Sequence, residues 1–456
     1  MARGKKKETL TPEERLQAAL VPVSEQPYPV PENWCWTRME NIAQWGSGGT
    51  PSRKIPEYYN GDIPWIKTGE LNDDYIFETE EHITEEAISH SSAKLFPVNT
   101  VAIAMYGATI GKVGILGVAA TTNQACACGV SNSLANYKYL FYYARSQKDN
   151  FIKKGKGGAQ PNISQEIIKS HEFPLPPLSE QHRIVDRIES LFAKLDEARQ
   201  KAQDALDSFE TRKAAILHRA FTGELTARWR KERGIGMDSW ERLKLGEIGT
   251  LERGRSQHRP RNDPRLFGGP YPFIQTGDVA SANVYITEHH QTLSEFGMEQ
   301  SRMFSAETLC ITIAANIGDV AILSYDCCFP DSVVGFIPNN RSISKFVYYM
   351  MSVLQKELED NAPATAQKNI NLKILNAVEM NIPPVIEQAE IVRRLDNLLA
   401  KEQQAKENAE KVLEQIDLIQ KAILARAFRG ELGTNDPSEE SAVELVKRAI
   451  ERGEKA

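Results

Sequence analysis

No apolar run in these 456 residues approaches the ~20 needed to cross a bilayer as a helix. The basic start, residues 1–7, has no apolar stretch behind it of the kind a secretory signal carries. These absences point to a cytoplasmic protein. The six cysteines, Cys35, Cys126, Cys128, Cys310, Cys327 and Cys328, include no C-x-x-C pair, which argues against a zinc ribbon and fits small buried hydrophobes in a reducing compartment. The eight histidines form no H-x-x-x-H or H-E-x-x-H pattern, and there is no G-x-S-x-G. A phosphate loop is absent as well. Gly107 to Val113 imitates one, but Tyr106 stands where its first glycine belongs and Val113 where Ser or Thr should follow Lys112. Its flanks read as strands, so a tight turn is expected. Pro330-Asp331 lacks the Glu-x-Lys of a metal nuclease, and Pro176-Pro177 and Pro383-Pro384 lack the neighbours of an amino-methyltransferase loop. With no catalytic set and no metal set, the chain reads as a binding subunit without a cofactor of its own. An excess of positive charge is missing too, with 55 Lys and Arg against 61 Asp and Glu. DNA binding nevertheless requires only local neutralisation of phosphates, so charge has to be read by segment.

What is present is two long heptad seams. In 179–221, Ile184, Ile188, Leu191, Leu195, Phe209 and Ile216 recur at steps of three and four, with Arg212 interrupting. The pattern returns at Ile391, Leu395, Leu398, Val412, Ile416 and Ile419, with Glu402 where Leu195 stood. Each seam lacks an apolar partner beside it in sequence, so the simplest expectation is that the two helices pair antiparallel.

The segments before the helices also repeat. Pro64-Trp65-Ile66-Lys67-Thr68-Gly69-Glu70 is answered by Pro272-Phe273-Ile274-Gln275-Thr276-Gly277-Asp278, and Ala159-Gln160-Pro161-Asn162-Ile163 by Ala366-Gln367-Lys368-Asn369-Ile370. Ala220-Phe221-Thr222-Gly223-Glu224-Leu225 is matched by Ala427-Phe428-Arg429-Gly430-Glu431-Leu432. The expected organisation is an arm (1–33), a first globular domain (34–178), a helix (179–221) capped by Ser179, a linker (222–239), a second globular domain (240–385), a second helix (386–429) and a tail (430–456). Within the first domain, 63–67, 101–106, 113–118 and 125–130 read as strands and 84–95 and 136–149 as helices. Thr11 and Glu14 give a helix start in the arm. The fold class is mixed α/β, two duplicated domains separated by an antiparallel coiled coil.

Between the shared landmarks the halves differ, as they would if each reads something different. The second opens with an arginine-rich segment containing Arg253, Arg255, Gln257, Arg259 and Arg261, side chains suited to phosphates and to guanine or adenine edges. The first offers Thr50, Arg53 and Lys54 at the equivalent place and a basic loop with Lys153, Lys154 and Lys156. The repeated landmarks add Lys67, Thr68 and Gln160 in one half and Gln275, Thr276, Gln367 and Lys368 in the other. Together these are the candidate DNA contacts. The rival expectation is a coiled-coil scaffold that bridges two partners and reads no DNA.

The doubled frame, with Pro64 to Glu70, Gly158-Ala159-Gln160-Pro161-Asn162-Ile163-Ser164, Pro174-Leu-Pro-Pro177-Leu-Ser-Glu-Gln181 and Phe221-Thr222-Gly223-Glu224-Leu225, resembles the specificity subunit of type I restriction-modification systems. That resemblance implies two target-recognition domains, each reading half of a split DNA site, held apart by two helices. It implies as partners double-stranded DNA, two modification subunits that methylate adenine N6 with S-adenosylmethionine, and restriction subunits that use ATP and Mg. It also implies that the N- and C-terminal arms lie close together. The second copy departs from the pattern at Lys368 for Pro161 and at Ile386 for Ser179.

Overall fold

The structure is a computed structural model that describes residues 11–155, 162–314, 317–360 and 370–454, the side chains of 356–360 excepted. The chain forms two compact units, Met1–Lys201 with Val412–Ala456, and Ala202–Lys411, so each long helix is shared between them.

In the first unit a five-stranded sheet runs in the order Ala43–Ser47, Cys126–Ser131, Val101–Ala104, Val113–Leu116, Tyr75–Ile76. All pairs are antiparallel except the last. Val101–Ala104 is wholly apolar because both faces are covered, and the period-two geometry of a strand divides it between two cores. Val101 and Ile103 join Ile115, Ala127 and the helix Tyr137–Ser146 on one face, while Ala102 and Ala104 join Cys126, Cys128, Leu116 and Ile66 on the other. A small sheet pairs Ile63–Ile66 antiparallel with His82–Ile83 and parallel with Thr121–Thr122.

The second unit has the same plan: Gly249–Arg253, Val333–Pro338, Leu309–Thr312, Val320–Leu323, Tyr285–Ile286, again with only the last pair parallel. Leu309 and Ile311 face the helix Ser344–Asp360, and Cys310 faces Cys327 and Leu323. All six cysteines are free and buried, as their scatter suggests, and burial pushes the Cys128 thiol up to about 12.

Three of the expected strands are slightly shorter than read and the fourth, Cys126–Ser131, is shifted by one residue, while the helix expected over 136–149 ends at Ser146 and a second begins at Lys148. The helix expected over 84–95 is only Glu85–Ser89, capped by Thr84. The Gly107–Val113 segment is a turn between strands, with a short 3-10 stretch at Gly107–Thr109. Pro12–Ala19 begins with the Thr11/Glu14 capping box.

The described residues of the arm and tail pack on the first core. Ala19 is buried in the first core beside Ala442, Val446, Ala449 and Ile450 of the helix Ala442–Glu451. Asn33 Nδ2 donates to the Asp436 carbonyl at 3.0 Å, and Arg15 Nη2 to that of Glu454 at 3.2 Å. The linker also differs from expectation. It contains the helix Ala227–Arg233, whose Trp229 and Arg230 are buried.

The first long helix is two: Leu178–Asp207 and Phe209–Phe221. The break is at Ser208, whose hydroxyl donates to the Asp204 and Ala205 carbonyls while Arg212 Nη2 also donates to Ala205 O. Such back-bonding bends helices. Because Leu178 already lies in the helix, Ser179 is not its cap, and the Ser179 hydroxyl donates to Glu439 Oε1 instead. The second helix is continuous, Val385–Ala427, with Ile386 in its first turn.

Helix pairing is antiparallel within each unit. In the first, the Arg183 guanidinium meets the Thr434 carbonyl and Arg199 meets Asp417 at 2.6 Å. In the second, Arg394 meets the Leu225 carbonyl and Arg212 meets Glu402 at 2.7 Å. The two polar exceptions in the seams therefore answer each other, a register device of the kind buried polar pairs provide. Ile184, Ile188, Ile391, Leu395 and Ile416 are buried and Phe209 nearly so, while Leu191, Leu195 and Leu398 are half-buried. Val412 and Ile419 depart from the expected seam, 37% and 44% exposed, whereas Ile416 keeps its place in it and Leu424 is buried beyond it. A straight helix of 3.6 residues per turn drifts from a strict heptad by about 20° per repeat, which moves the inner line off Val412.

One buried histidine gives the first unit a pH dependence. Burial, aided by the Lys154 ammonium, lowers the His171 pKa from 6.5 to about 4. The neutral ring accepts from Lys154 Nζ at 2.9 Å and donates to Gln147 Oε1 at 3.2 Å. Because the folded pKa lies below the unfolded one, this contribution to stability is complete above about pH 6.5. It is lost as pH falls toward 4, on the order of 3 kcal/mol in all. Urea midpoints followed across that range are expected to fall less in His171→Gln than in the parent chain; equal losses would contradict the assignment.

Candidate nucleic-acid interface

In the second unit Gly249–Arg253 ends at the sheet edge, and the chain then loops back over the segment carrying Asp331. Arg253 Nε donates to the Asp331 carbonyl, and Arg261 grips both Asp331 carboxylate oxygens at 2.9 Å. Arg255 Nη2 donates to Gln257 Oε1 at 2.6 Å, and Arg259 Nη1 to the Ser256 and His258 carbonyls. Asp263 clamps the far end, accepting from the Arg265 guanidinium and pairing with His258 Nε2 at 2.8 Å. Those contacts, Arg265 foremost, hold its carboxyl well below the usual range. Among the described residues Arg253, Arg255 and Arg259 have no carboxylate partner, so three exposed guanidinium groups are not offset by a neighbouring acid. Gln275 reaches Gln291 at 2.8 Å, and Thr276 opens the helix Thr276–Ser281.

Arg255, Arg261 and Gln275 come together around a pocket of about 180 Å³, with Leu266, Phe267, Phe273 and Leu293 on its apolar side. The sequence reading missed Phe267, Gln300 and Ser301 here. They lie outside the shared landmarks; Phe267 pairs with Leu293, and the Gln257 amide donates to the Gln300 carbonyl at 3.2 Å, which brings the loop over them.

The first unit is arranged differently. Arg53 pairs with Glu81 and lies over the Tyr59 and Trp65 rings, 4.1 and 5.0 Å from their centroids. Lys67 pairs with Glu80 at 2.9 Å and Glu81 at 3.0 Å. Thr50 Oγ1 donates to Gln124, and Thr68 begins a 3-10 turn beside Lys67. Lys54 is exposed with no acidic partner among the described residues. Lys153 and Lys154 end the helix Lys148–Lys154, but Lys154 is engaged with His171 and lies 3.6 Å from Glu172. Lys156, Gln160, Gln367 and Lys368 lie outside the described residues.

No group of three or more His, Cys, Asp or Glu side chains among the described residues could hold a metal ion. Asp331 is an arginine partner, not a metal ligand. No described helix is long and apolar enough to cross a membrane.

The family model for the type I restriction modification DNA specificity domain matches the chain twice, over residues 31–205 and 237–415. The type I restriction enzyme EcoR124I/EcoR124II specificity subunit of Escherichia coli is 34% identical over 157 residues, 33% of this chain and 39% of that protein. The MjaIX specificity subunit of Methanocaldococcus jannaschii is 29% identical across 54% of this chain and 58% of its own length. The chain thus spans less than two thirds of these relatives. The solved HsdS subunit from Thermoanaerobacter tengcongensis, 20% identical, superposes with a TM-score of 0.66 over 90% of this chain and all of its own, a likeness of fold. With one match of the family model falling on each copy of the duplicated fold, the chain belongs to the type I restriction-modification DNA specificity family.

Proposed function

We propose that this chain reads a bipartite, asymmetric DNA target, one half-site per unit, and positions modification subunits that methylate adenine N6. It is non-catalytic and binds no cofactor itself; S-adenosylmethionine, and ATP with Mg, are held by partner subunits, in the cytoplasm. The observation that carries this reading is one fold built twice with unlike contact surfaces. Among the described residues, one bears three guanidinium groups with no carboxylate partner and the other has its Arg53 and Lys67 paired with Glu80 and Glu81. Identical readers would favour a palindrome, and unlike ones favour two different half-sites. The exposed apolar side chains Val412, Leu418 and Ile419 on the second long helix suit a docked partner. Incubating the full chain with sheared host DNA and sequencing the retained fragments is expected to enrich a split motif. Uniform retention, or none, with a modification subunit still co-purifying, would instead support a scaffold.

A further inference from the structure

The pocket beneath the arginine loop has a size and lining that a merely charged DNA-binding surface does not need. Its volume, about 180 Å³, is slightly above the ~150 Å³ of a cavity known to take benzene. It is well below the ~300–1,000 Å³ of sites for drug-sized ligands. One six-membered ring fits. The Phe267 and Phe273 rings, 6.4 Å apart and tilted by 58°, give it aromatic walls.

Deeper in, Ser301 is 8% exposed, and its hydroxyl finds no hydrogen-bond partner of good geometry among the described residues. The Cys328 thiol lies near it, a weak donor and acceptor that leaves most of the hydroxyl's capacity open. A buried hydroxyl left with only a thiol beside it gains from any group that supplies a stronger bond.

At the corresponding place in the first unit a larger ring stands among bonded neighbours. Trp65 replaces Phe273 in the repeat, is buried, and donates its Nε1 proton to the Gly49 carbonyl at 2.9 Å. Arg53 lies across its indole. In the second unit the smaller Phe273 borders a pocket lined with both aromatic and hydrogen-bonding groups.

We propose that this pocket receives a single pyrimidine-sized base extruded from the duplex that the second unit reads, with Arg255 at the mouth holding its phosphate and Ser301 meeting the base edge. The inference rests on the DNA-reading role proposed above. It concerns recognition, separately from the adenine that a modification subunit would methylate.

Extrusion costs pairing and stacking, and that cost is smallest when the base has no partner. The test uses the full-length chain and the duplex defined by its split motif, with single abasic sites walked along both strands and binding followed by fluorescence anisotropy. An abasic site opposite one pyrimidine of a half-site is expected to tighten binding at least tenfold. Ser301→Leu, which fills the pocket, should abolish that gain. Ser301→Ala, which only removes the oxygen, should reduce it at least threefold and keeps the test valid should leucine disturb packing.

If the intact duplex binds but no abasic position tightens it, or if the gain is undiminished in both variants, the proposal is overturned while DNA reading stands. Binding of free dCMP or dTMP without any gain on the duplex would make the pocket a nucleotide site and overturn extrusion. If the intact duplex does not bind at all, DNA reading falls and takes this proposal with it.

Discussion

Replacing Arg230 with Ala is expected to destabilise the second unit by about 3–5 kcal/mol, the usual cost of leaving one member of a buried ion pair alone. Glu387, in the first turn of the second long helix, is fully buried, and the Arg230 side chain is 7% exposed at 2.5 Å from it. Arg230 also donates to the Gly223 carbonyl at 2.7 Å and to Thr226 Oγ1 at 2.9 Å. Glu387 accepts further from Thr226 Oγ1 at 2.6 Å and Trp240 Nε1 at 3.1 Å. The deletion strands a carboxylate where water cannot reach it. The first unit repeats the device with Glu180, which accepts from Thr434 Oγ1 at 2.7 Å and pairs with Arg183 at 2.8 Å. There the arginine is 38% exposed, so water can replace it and Arg183→Ala should cost about 1–2 kcal/mol. Burial raises the Glu180 pKa, which offers protonation as a second relief. Denaturant unfolding of both variants checks this ordering. A loss below about 1 kcal/mol for Arg230→Ala would show that the buried pair does not hold the second unit together.

Changing Arg253, Arg255, Arg259 and Arg261 together to Ala is expected to weaken DNA binding by a few hundredfold to about a thousandfold at 0.15 M salt. Each phosphate contact releases ~0.9 counterion, so three or four contacts lower the slope of log K against log salt by about 3. Arg261 contributes least, since Asp331 already holds it. Arg53→Ala with Lys67→Ala should change the slope by less than about 1, because Glu80 and Glu81 already offset those charges. Binding titrations over a salt series measure both slopes. An unchanged slope in the fourfold variant would remove the arginine loop from the interface.

Much of the architecture was legible because it depends on local periodicity. The seams announced the long helices, and their two flaws, Arg212 and Glu402, prove to be partners. The repeat in the chain became a repeat of sheet order. What could not be read depends on contacts distant in sequence. Ser208 breaks a helix whose heptads run on, because one hydroxyl and one guanidinium compete for the same carbonyl. The arm did not read as part of a core because its partner helix is at the other end of the chain. For the candidate site, the arginine segment was visible as composition. That Asp331 would restrain two of its members, or that Glu81 would occupy both Arg53 and Lys67, required tertiary geometry. The pocket was invisible for the same reason, since Phe267, Gln300 and Ser301 meet only through strand pairing and the loop above it.

The most direct measurement is single-molecule sequencing of host DNA with and without this gene, read for N6-methyladenine. A split, asymmetric motif methylated on both strands and lost with the gene is the predicted result, and it names the half-sites at once. An identical methylation pattern in both strains, with the modification partner present and active, would contradict the proposed role.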